Sequence, residues 1–546
     1  MNKNKSIVFL FFILLIAFVF RILYINKPFG LSYDEAVSYS YAIKSFPLGI
    51  INGLSSSDLH MPLYFLLLSL WIKAFGNGDI ILRLFSVIVG CLSVFIGYFL
   101  GKEIKDKFTG ILCSLLIALN SLSIYYSQDV RFYGMIILFS SLSYLYFIKT
   151  YYNPTYKNYS LLFLSLVLLS YTNILGLLFL WILTIIYLLY LIYNKYYEVL
   201  KKFCYAFIFS QISLIPLFIF IFKIVSRRGI AFPSAFFYDN QVIFGIIQNW
   251  FSPVLVNINN NSPQFLINVI NSLSAKSVIF ILIPVLIFFT FIFKSLKKEI
   301  NILIFISAFI FIFFEIVGSL LGKFSILTRY TLYVIPALIL LCAYGYSCFK
   351  NKIIAKSLLV CFICVNLIYL VFAKDSAFKM QRSSGQKIPA LALMNENINI
   401  GDIVIYPIRT NLSDKYYNAA FVKYSEIEIF FDNFGLKKSD MNDYIYYRSL
   451  FKCEQNVEFE NYFKEKIYNK LNKGNKLVII SQADYVPYDK NTFYKVVNDD
   501  KYYLKQPLLF LKLYKTQELL LNNSYKFLQK KGLYNMENWF IYVFIK

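Results

Sequence analysis

Asp34 and Glu35 are neighbours in Leu31-Ser-Tyr-Asp-Glu-Ala-Val37, a few residues beyond a long apolar run that opens the chain. Adjacent carboxylates are an ordinary feature of a solvated loop. Close to a bilayer surface, though, one of them is placed to act as a base on a substrate whose tail stays in lipid. A second polar cluster stands in Tyr125-Tyr-Ser-Gln-Asp-Val-Arg-Phe-Tyr-Gly134. A Tyr/Arg anchor at the membrane interface explains its tyrosines but not its Gln-Asp-x-Arg core. If a helix begins within it, Asp129 and Tyr133 are four apart and share a face, while Arg131 points elsewhere. Arg329-Tyr330 is the third polar point, with Pro336 shortly after it, and His60-Met-Pro62 is the fourth. An arginine at the end of an apolar run commonly reaches lipid phosphates, so each element alone says little. Their coincidence in loops assigned to one face of a membrane argues for a site.

The elements that must position these groups are membrane spans. Of 546 residues, 58% are hydrophobic and only 15% charged. Soluble domains run at about 45–50% apolar and 25% charged, so the excess faces lipid. That composition excludes a soluble enzyme, a disordered tail and a fibrous repeat. The formal net charge of +24 would point to nucleic acid in a soluble protein. Here it belongs to basic loops that set topology, and no nucleic-acid partner is expected.

A spanning helix takes about 20 mostly apolar residues. Eleven such stretches are read at 6–26, 80–100, 108–124, 132–149, 159–174, 176–193, 203–223, 277–294, 301–321, 330–349 and 354–373. With the N-terminus in the cytoplasm, every loop then assigned to the cytoplasmic side is short and rich in lysine: 102–107, 149–157, 195–202, 294–298 and 350–356. The opposite face receives the 27–79 and 224–276 loops, the turns holding Asp129 and Arg329, and everything after 373. Residues 61–75 are apolar but too short to span, so they are read as an interfacial helix on the outer leaflet. From 374 to 546 the chain turns polar. Alternating runs at Asp402–Pro407 and Lys476–Ser481, a four-residue repeat of Phe459, Phe463, Ile467 and Leu471 before Gly474, and a turn at 498–500 read as a small extracytoplasmic α/β domain. The division is thus 1–373 for the membrane domain and 374–546 for the C-terminal one.

Histidine occurs once, as His60, which excludes a site built on several imidazoles. Of eight cysteines, all but Cys453 fall in apolar runs and read as small core residues, the Cys361/Cys364 pair included.

Taken in order, the Asp34-Glu35 pair, the His60-x-Pro-Leu-Tyr64 run, the Tyr126-Ser-Gln-Asp-x-Arg-x-Tyr133 run and Arg329-Tyr330 with Pro336 resemble the GT-C membrane glycosyltransferases. The nearest group is that of the protein O-mannosyltransferases and the lipid A aminoarabinose transferase. The likeness covers about residues 1–350. Asp129 stands where glutamate is common, and His60-Met61-Pro62 replaces a His-Pro-Pro form. Trp71, Trp181, Trp250 and Trp539 stand apart, so the Trp-Trp-Asp motif of oligosaccharyltransferases is missing.

The resemblance implies a multi-pass protein of the cytoplasmic membrane that takes a polyprenyl-phosphate-linked sugar and passes it, with inversion, to a lipid, glycan or protein acceptor outside. No nucleotide is expected. On this reading Asp34 is the general base and Glu35 orients it or binds sugar. Arg131 and Arg329, helped by His60, hold the departing phosphate. Tyr133 and Tyr330 contact sugar or acceptor, and Asp129 holds Arg131 or Tyr133 in place, binds sugar, or helps hold a divalent cation with Asp34. A transporter of lipid-linked glycan and a non-catalytic envelope scaffold are the competing readings. Transporters favour mid-membrane polar residues and internal repeats; here Glu315 is the only acidic residue deep in a later span, and Arg21 and Arg83 lie near span ends.

Overall fold

The lysine-rich and polar stretches of the sequence are where the helices stop. In the computed structural model, Asp106 follows the end of one helix and caps the next: its Oδ1 accepts from the Thr109 backbone N–H at 2.8 Å and from Thr109 Oγ1 at 2.9 Å. Thr155 caps in the same way, through Asn158 N–H at 3.3 Å. The structure describes residues 3–23, 25–26, 31, 33–57, 60–228, 286–320 and 328–372, the turn residue Gly474, and four strands after 400.

The helices are α1 (Lys3–Ile22), α2 (Tyr33–Ala42), α3 (Leu48–Ser57), α4 (Leu63–Phe75), α5 (Asp79–Ile104), α6 (Lys107–Leu119), α7 (Ser121–Tyr126), α8 (Tyr133–Tyr152), α9 (Tyr156–Thr172), α10 (Leu175–Tyr193) and α11 (Tyr197–Arg228). They continue with α12 (Leu286–Ser295), α13 (Glu299–Leu320), a 3-10 helix at Thr328–Val334, α14 (Ile335–Ser347) and α15 (Lys352–Phe372). Among the described residues, six segments are long and apolar enough to cross a bilayer: Asn4–Ile22, Asp79–Ile104, Leu175–Tyr193, Tyr197–Ser226, Glu299–Gly318 and Arg329–Ser347. The protein is a multi-pass membrane protein. Its outward faces are apolar too, with Phe11, Phe209 and Phe222 more than 60% exposed, as lipid contact requires. α4 has 13 residues, about 20 Å of helix, short of the ~30 Å hydrocarbon layer.

Contacts divide the chain into two units, one of residues 1–26 and 41–382, the other of 27–40 and 383–546. In the first, α5 packs on α6 and α8, and α8 on α9. The α5–α6 contact is close because Gly110 offers no side chain: a Cβ there would stand 2.5 Å from the Tyr98 carbonyl oxygen. Lysines from three loops meet at one end of this bundle. Lys105 Nζ donates to Ser347 Oγ at 2.7 Å, Lys352 Nζ to Ser347 O at 3.2 Å, and Lys298 Nζ lies 4.9 Å from the Tyr152 ring. Tyr152 closes α8, whose other end is Tyr133, so the lysines and the Gln-Asp-x-Arg segment are separated by the length of α8, about 30 Å.

The second unit holds a mixed sheet in the order β1-β2-β4-β3, with β1 (Ile403–Ile405), β2 (Lys476–Ser481), β3 (Lys526–Gly532) and β4 (Phe540–Ile545). β1 runs parallel to β2, and the other pairings are antiparallel. Both strands read from the sequence form. The proposed helix at 459–471 and turn at 498–500 lie outside the described residues. The hairpin that is described falls later, where Tyr542 pairs with both Ile479 and Lys530.

Candidate functional site

Asn120 breaks the chain between α6 and α7, its Oδ1 taking the Ser123 N–H at 2.9 Å. α7 lasts six residues. Ser127 N–H then turns back to the carbonyls of Ser123 and Ile124 at 3.2 Å, Gln128 N–H to Tyr125 O at 3.1 Å, and Arg131 N–H to Asp129 O at 2.7 Å. Gln128–Phe132 is therefore a compact turn, and α8 starts only at Tyr133. This corrects the expectation that Asp129 and Tyr133 share a helical face with Arg131 turned away. Once the backbone leaves the helix, the four-residue spacing no longer governs direction. The Arg131 guanidinium carbon lies 5.2 Å from the Phe132 ring centre and 5.9 Å from that of Tyr133.

Aromatic contacts carry the cluster onward. Phe132 lies 6.0 Å from the His60 ring and 6.4 Å from Tyr64, and Tyr133 lies 4.8 Å from Tyr126. Phe65 lies 5.8 Å from the His60 ring. Arg329, on the 3-10 helix, sits 5.5 Å from its own neighbour Tyr330, and its charge also reaches Tyr126. Desolvation, then the neighbouring phenols of Tyr125 and Tyr133, push the Tyr126 phenol well above the usual tyrosine range; Arg329 acts against them and Asp129 with them. Thus His60, Asp129, Arg131, Tyr133 and Arg329 come together around Tyr126 and Phe132, from segments up to 270 residues apart. Tyr330 is half-buried beside Arg329.

Asp34 and Glu35 occupy the first turn of α2, where carboxylates favour the helix dipole. Glu35 is fully buried and Asp34 half-buried, and Ser38 Oγ donates to the Asp34 carbonyl at 3.0 Å. A solvated loop is therefore not their setting. They belong to the second of the two units.

Sequence reasoning treated Arg21 as a span-end residue, but the structure makes it the hub behind the Gln-Asp-x-Arg turn. It is fully buried. Nη2 donates to Ser123 Oγ at 2.7 Å and Ile117 O at 3.3 Å, Nη1 to Ala17 O at 3.2 Å and Ala118 O at 3.3 Å, and Nε to Ser127 Oγ at 3.2 Å. The signal was a lone arginine inside a long apolar run, which asks for a partner. Two further buried groups lie outside the set of site residues read from the sequence. Tyr333 Oη donates to Asn173 Oδ1 at 2.9 Å, and Glu315, fully buried on α13, has no hydrogen-bond partner for either carboxyl oxygen among the described residues.

Among the described residues no three His, Cys, Asp or Glu side chains lie together as a metal centre needs. The 224–276 loop lies outside the described residues beyond Arg228.

No family model matches the chain, and no curated protein matches it. Solved structures do. ArnT from Cupriavidus metallidurans in the apo state aligns over 99% of this chain and 98% of its own, at 9% identity and a TM-score of 0.54. The same protein bound to undecaprenyl phosphate aligns over 100% and 98%, at 11% identity and a TM-score of 0.54. The apo oligosaccharyltransferase of Archaeoglobus fulgidus aligns over 91% and 71%, at 14% identity and a TM-score of 0.48. The chain has the fold of ArnT over essentially its whole length.

Proposed function

We propose that this protein is a membrane glycosyltransferase that moves a sugar from a polyprenyl-phosphate donor to an acceptor hydroxyl on the outer face of the cytoplasmic membrane. The observation that supports the reading is that two arginines from distant segments act on adjoining tyrosine rings. Arg131 lies on the Tyr133 ring and Arg329 acts on Tyr126, the ring packed against Tyr133. A fold whose ArnT representative was captured with undecaprenyl phosphate supports a lipid phosphate as their ligand.

In the reaction the acceptor oxygen attacks the anomeric carbon as the bond from that carbon to the phosphate oxygen breaks, which inverts the centre. Asp34 takes the acceptor proton, and Glu35 holds Asp34 or a sugar hydroxyl. The polyprenyl phosphate leaves with the bonding pair. Arg131 and Arg329 offer it paired N–H donors, with His60 beside them, so it needs no proton. Asp129, Tyr133 and Tyr330 line the space for sugar and acceptor. In this reading eleven helices span the bilayer, the N-terminus is cytoplasmic, and 374–546 is an extracytoplasmic domain attached to the transferase domain of 1–373.

The test is transfer of label from polyprenyl-phosphate hexose and pentose donors in membranes holding the full chain. Asp34→Asn is expected to abolish transfer at normal abundance. Undiminished transfer removes Asp34 as base, and donor crossing the bilayer with no transfer in the unaltered protein favours a transporter.

A further inference from the structure

A buried guanidinium is retained only where its donors are met. Arg21 has five N–H groups, and its five hydrogen bonds to Ala17, Ile117, Ala118, Ser123 and Ser127 use them all. All five acceptors are neutral oxygens. Two are carbonyls of the last turn of α6, a helix end that carries partial negative charge and lacks internal donors. Two are hydroxyls of Ser123, in α7, and Ser127, the residue immediately before Gln128.

Gln128 returns the clasp. Its Nε2 lies 3.3, 3.0 and 2.7 Å from the carbonyls of Phe20, Arg21 and Leu23, where α1 ends and its own carbonyls lack partners. The side chain of α1 thus holds the α6–α7 break, and the side chain of the turn holds the end of α1. α5 closes over the clasp at Gly90, where a Cβ would stand 2.2 Å from Ser127 Oγ and 2.9 Å from Arg21 Nε. The next residues out of this clasp are Asp129 and Arg131.

We infer that Arg21 is a positioning residue, whose buried charge fixes the Gln128–Phe132 turn and thereby aims Asp129 and Arg131 at the substrate. It touches no reacting atom. Lysine keeps the charge but has three donors on one nitrogen instead of five on a fork, so Arg21→Lys releases part of the clasp while leaving every proposed substrate contact in the sequence. The activity arm of the test rests on the glycosyltransferase reading; the structural arm does not.

The experiment compares full-length wild type, Arg21→Lys and Gly90→Ala by backbone hydrogen exchange and by sugar transfer per folded molecule. Both variants are expected to speed exchange of the 123–131 amides by about tenfold while leaving the α9–α10 amides unchanged. Misplacement of a catalytic group by about 1 Å costs on the order of 100-fold, so kcat/KM for the donor is expected to fall by about tenfold or more per folded molecule. Unchanged exchange over 123–131, or transfer per folded molecule at the wild-type level, overturns the inference. Lower abundance with undiminished transfer per folded molecule also overturns it, since that is what support of the fold alone produces. If Arg21→Lys does not accumulate, Ser123→Ala removes one acceptor and is expected to give the same pattern at smaller size. Wild-type protein without transfer from any polyprenyl-phosphate sugar sinks the functional reading, while the exchange arm still decides the positioning role.

Discussion

Tyr333 Oη donates to Asn173 Oδ1 at 2.9 Å across 160 residues of sequence. Asn173 is the corner between α9 and α10, and the same oxygen accepts from Leu175 N–H at 3.0 Å. Tyr333 shares the 3-10 helix of Arg329. The bond therefore ties the arginine's support to the centre of the helical bundle, with Phe311 4.9 Å and Phe179 5.7 Å from the tyrosine ring.

Tyr333→Phe keeps those ring contacts and removes only the hydroxyl. A neutral hydrogen bond contributes about 0.5–1.5 kcal/mol net, so the expected result is a melting temperature a few degrees lower in detergent, with the protein still folded. An unaltered melting curve would show the bond to be without weight.

Glu315 is a cost to the fold. Its carboxyl group is wholly buried and, among the described residues, unpartnered, and a buried polar group without a partner costs about 1–3 kcal/mol. Glu315→Gln and Glu315→Leu are expected to raise the melting temperature. If transfer falls in the same variants, the carboxyl group serves function at the expense of stability; a fall in melting temperature contradicts the prediction.

For Arg329, charge and geometry separate by substitution. Loss of one donor to a developing oxyanion costs about 100- to 1,000-fold in rate, which sets the expectation for Arg329→Ala in donor turnover. Arg329→Lys should recover part of it, because an ammonium supplies charge without the paired fork. Equal activity of all three proteins would take Arg329 out of the phosphate site. Arg329→Ala should also push the Tyr126 phenol still further up, because the cation that opposes its desolvation is gone.

Tyr126 contributes to the pH dependence of stability. Its folded-state pKa is raised, so the folded protein keeps the proton where the unfolded chain begins to lose it, near pH 10. The unfolded state then binds fewer protons than the native one, and stability falls as pH rises through that range. Below it the group adds no slope. Denaturant titration at several alkaline pH values should show this decline, and Tyr126→Phe should flatten it. The same slope in both proteins would rule Tyr126 out.

Much of this was open to reading in one dimension. The helix ends near Asp106 and Thr155 follow from apolar runs broken by short polar side chains that satisfy helix ends locally, whereas the break at Asn120 falls inside the run read as one span at 108–124. The strands at Ile403–Ile405 and Lys476–Ser481 follow from alternation that needs no knowledge of the neighbour. His60, Asp129, Arg131 and Arg329 stood out because polar residues of those types are rare beside so much hydrocarbon.

Their convergence was another matter. Spacing puts Asp129 on a helical face only if a helix begins there, and the structure makes a turn instead, since the choice at 127–132 rests on hydroxyls and an amide that reach α1, more than 100 residues earlier. Arg21 reads only as a residue near the end of a span, and its donors are spent inside, largely on oxygens that only the approach of α6 and α7 delivers. Composition and local spacing dictate which segments enter the membrane and which side chains are costly to place there. Which oxygen meets which guanidinium depends on packing between helices far apart in the chain, where a contact has no trace in any sequence window.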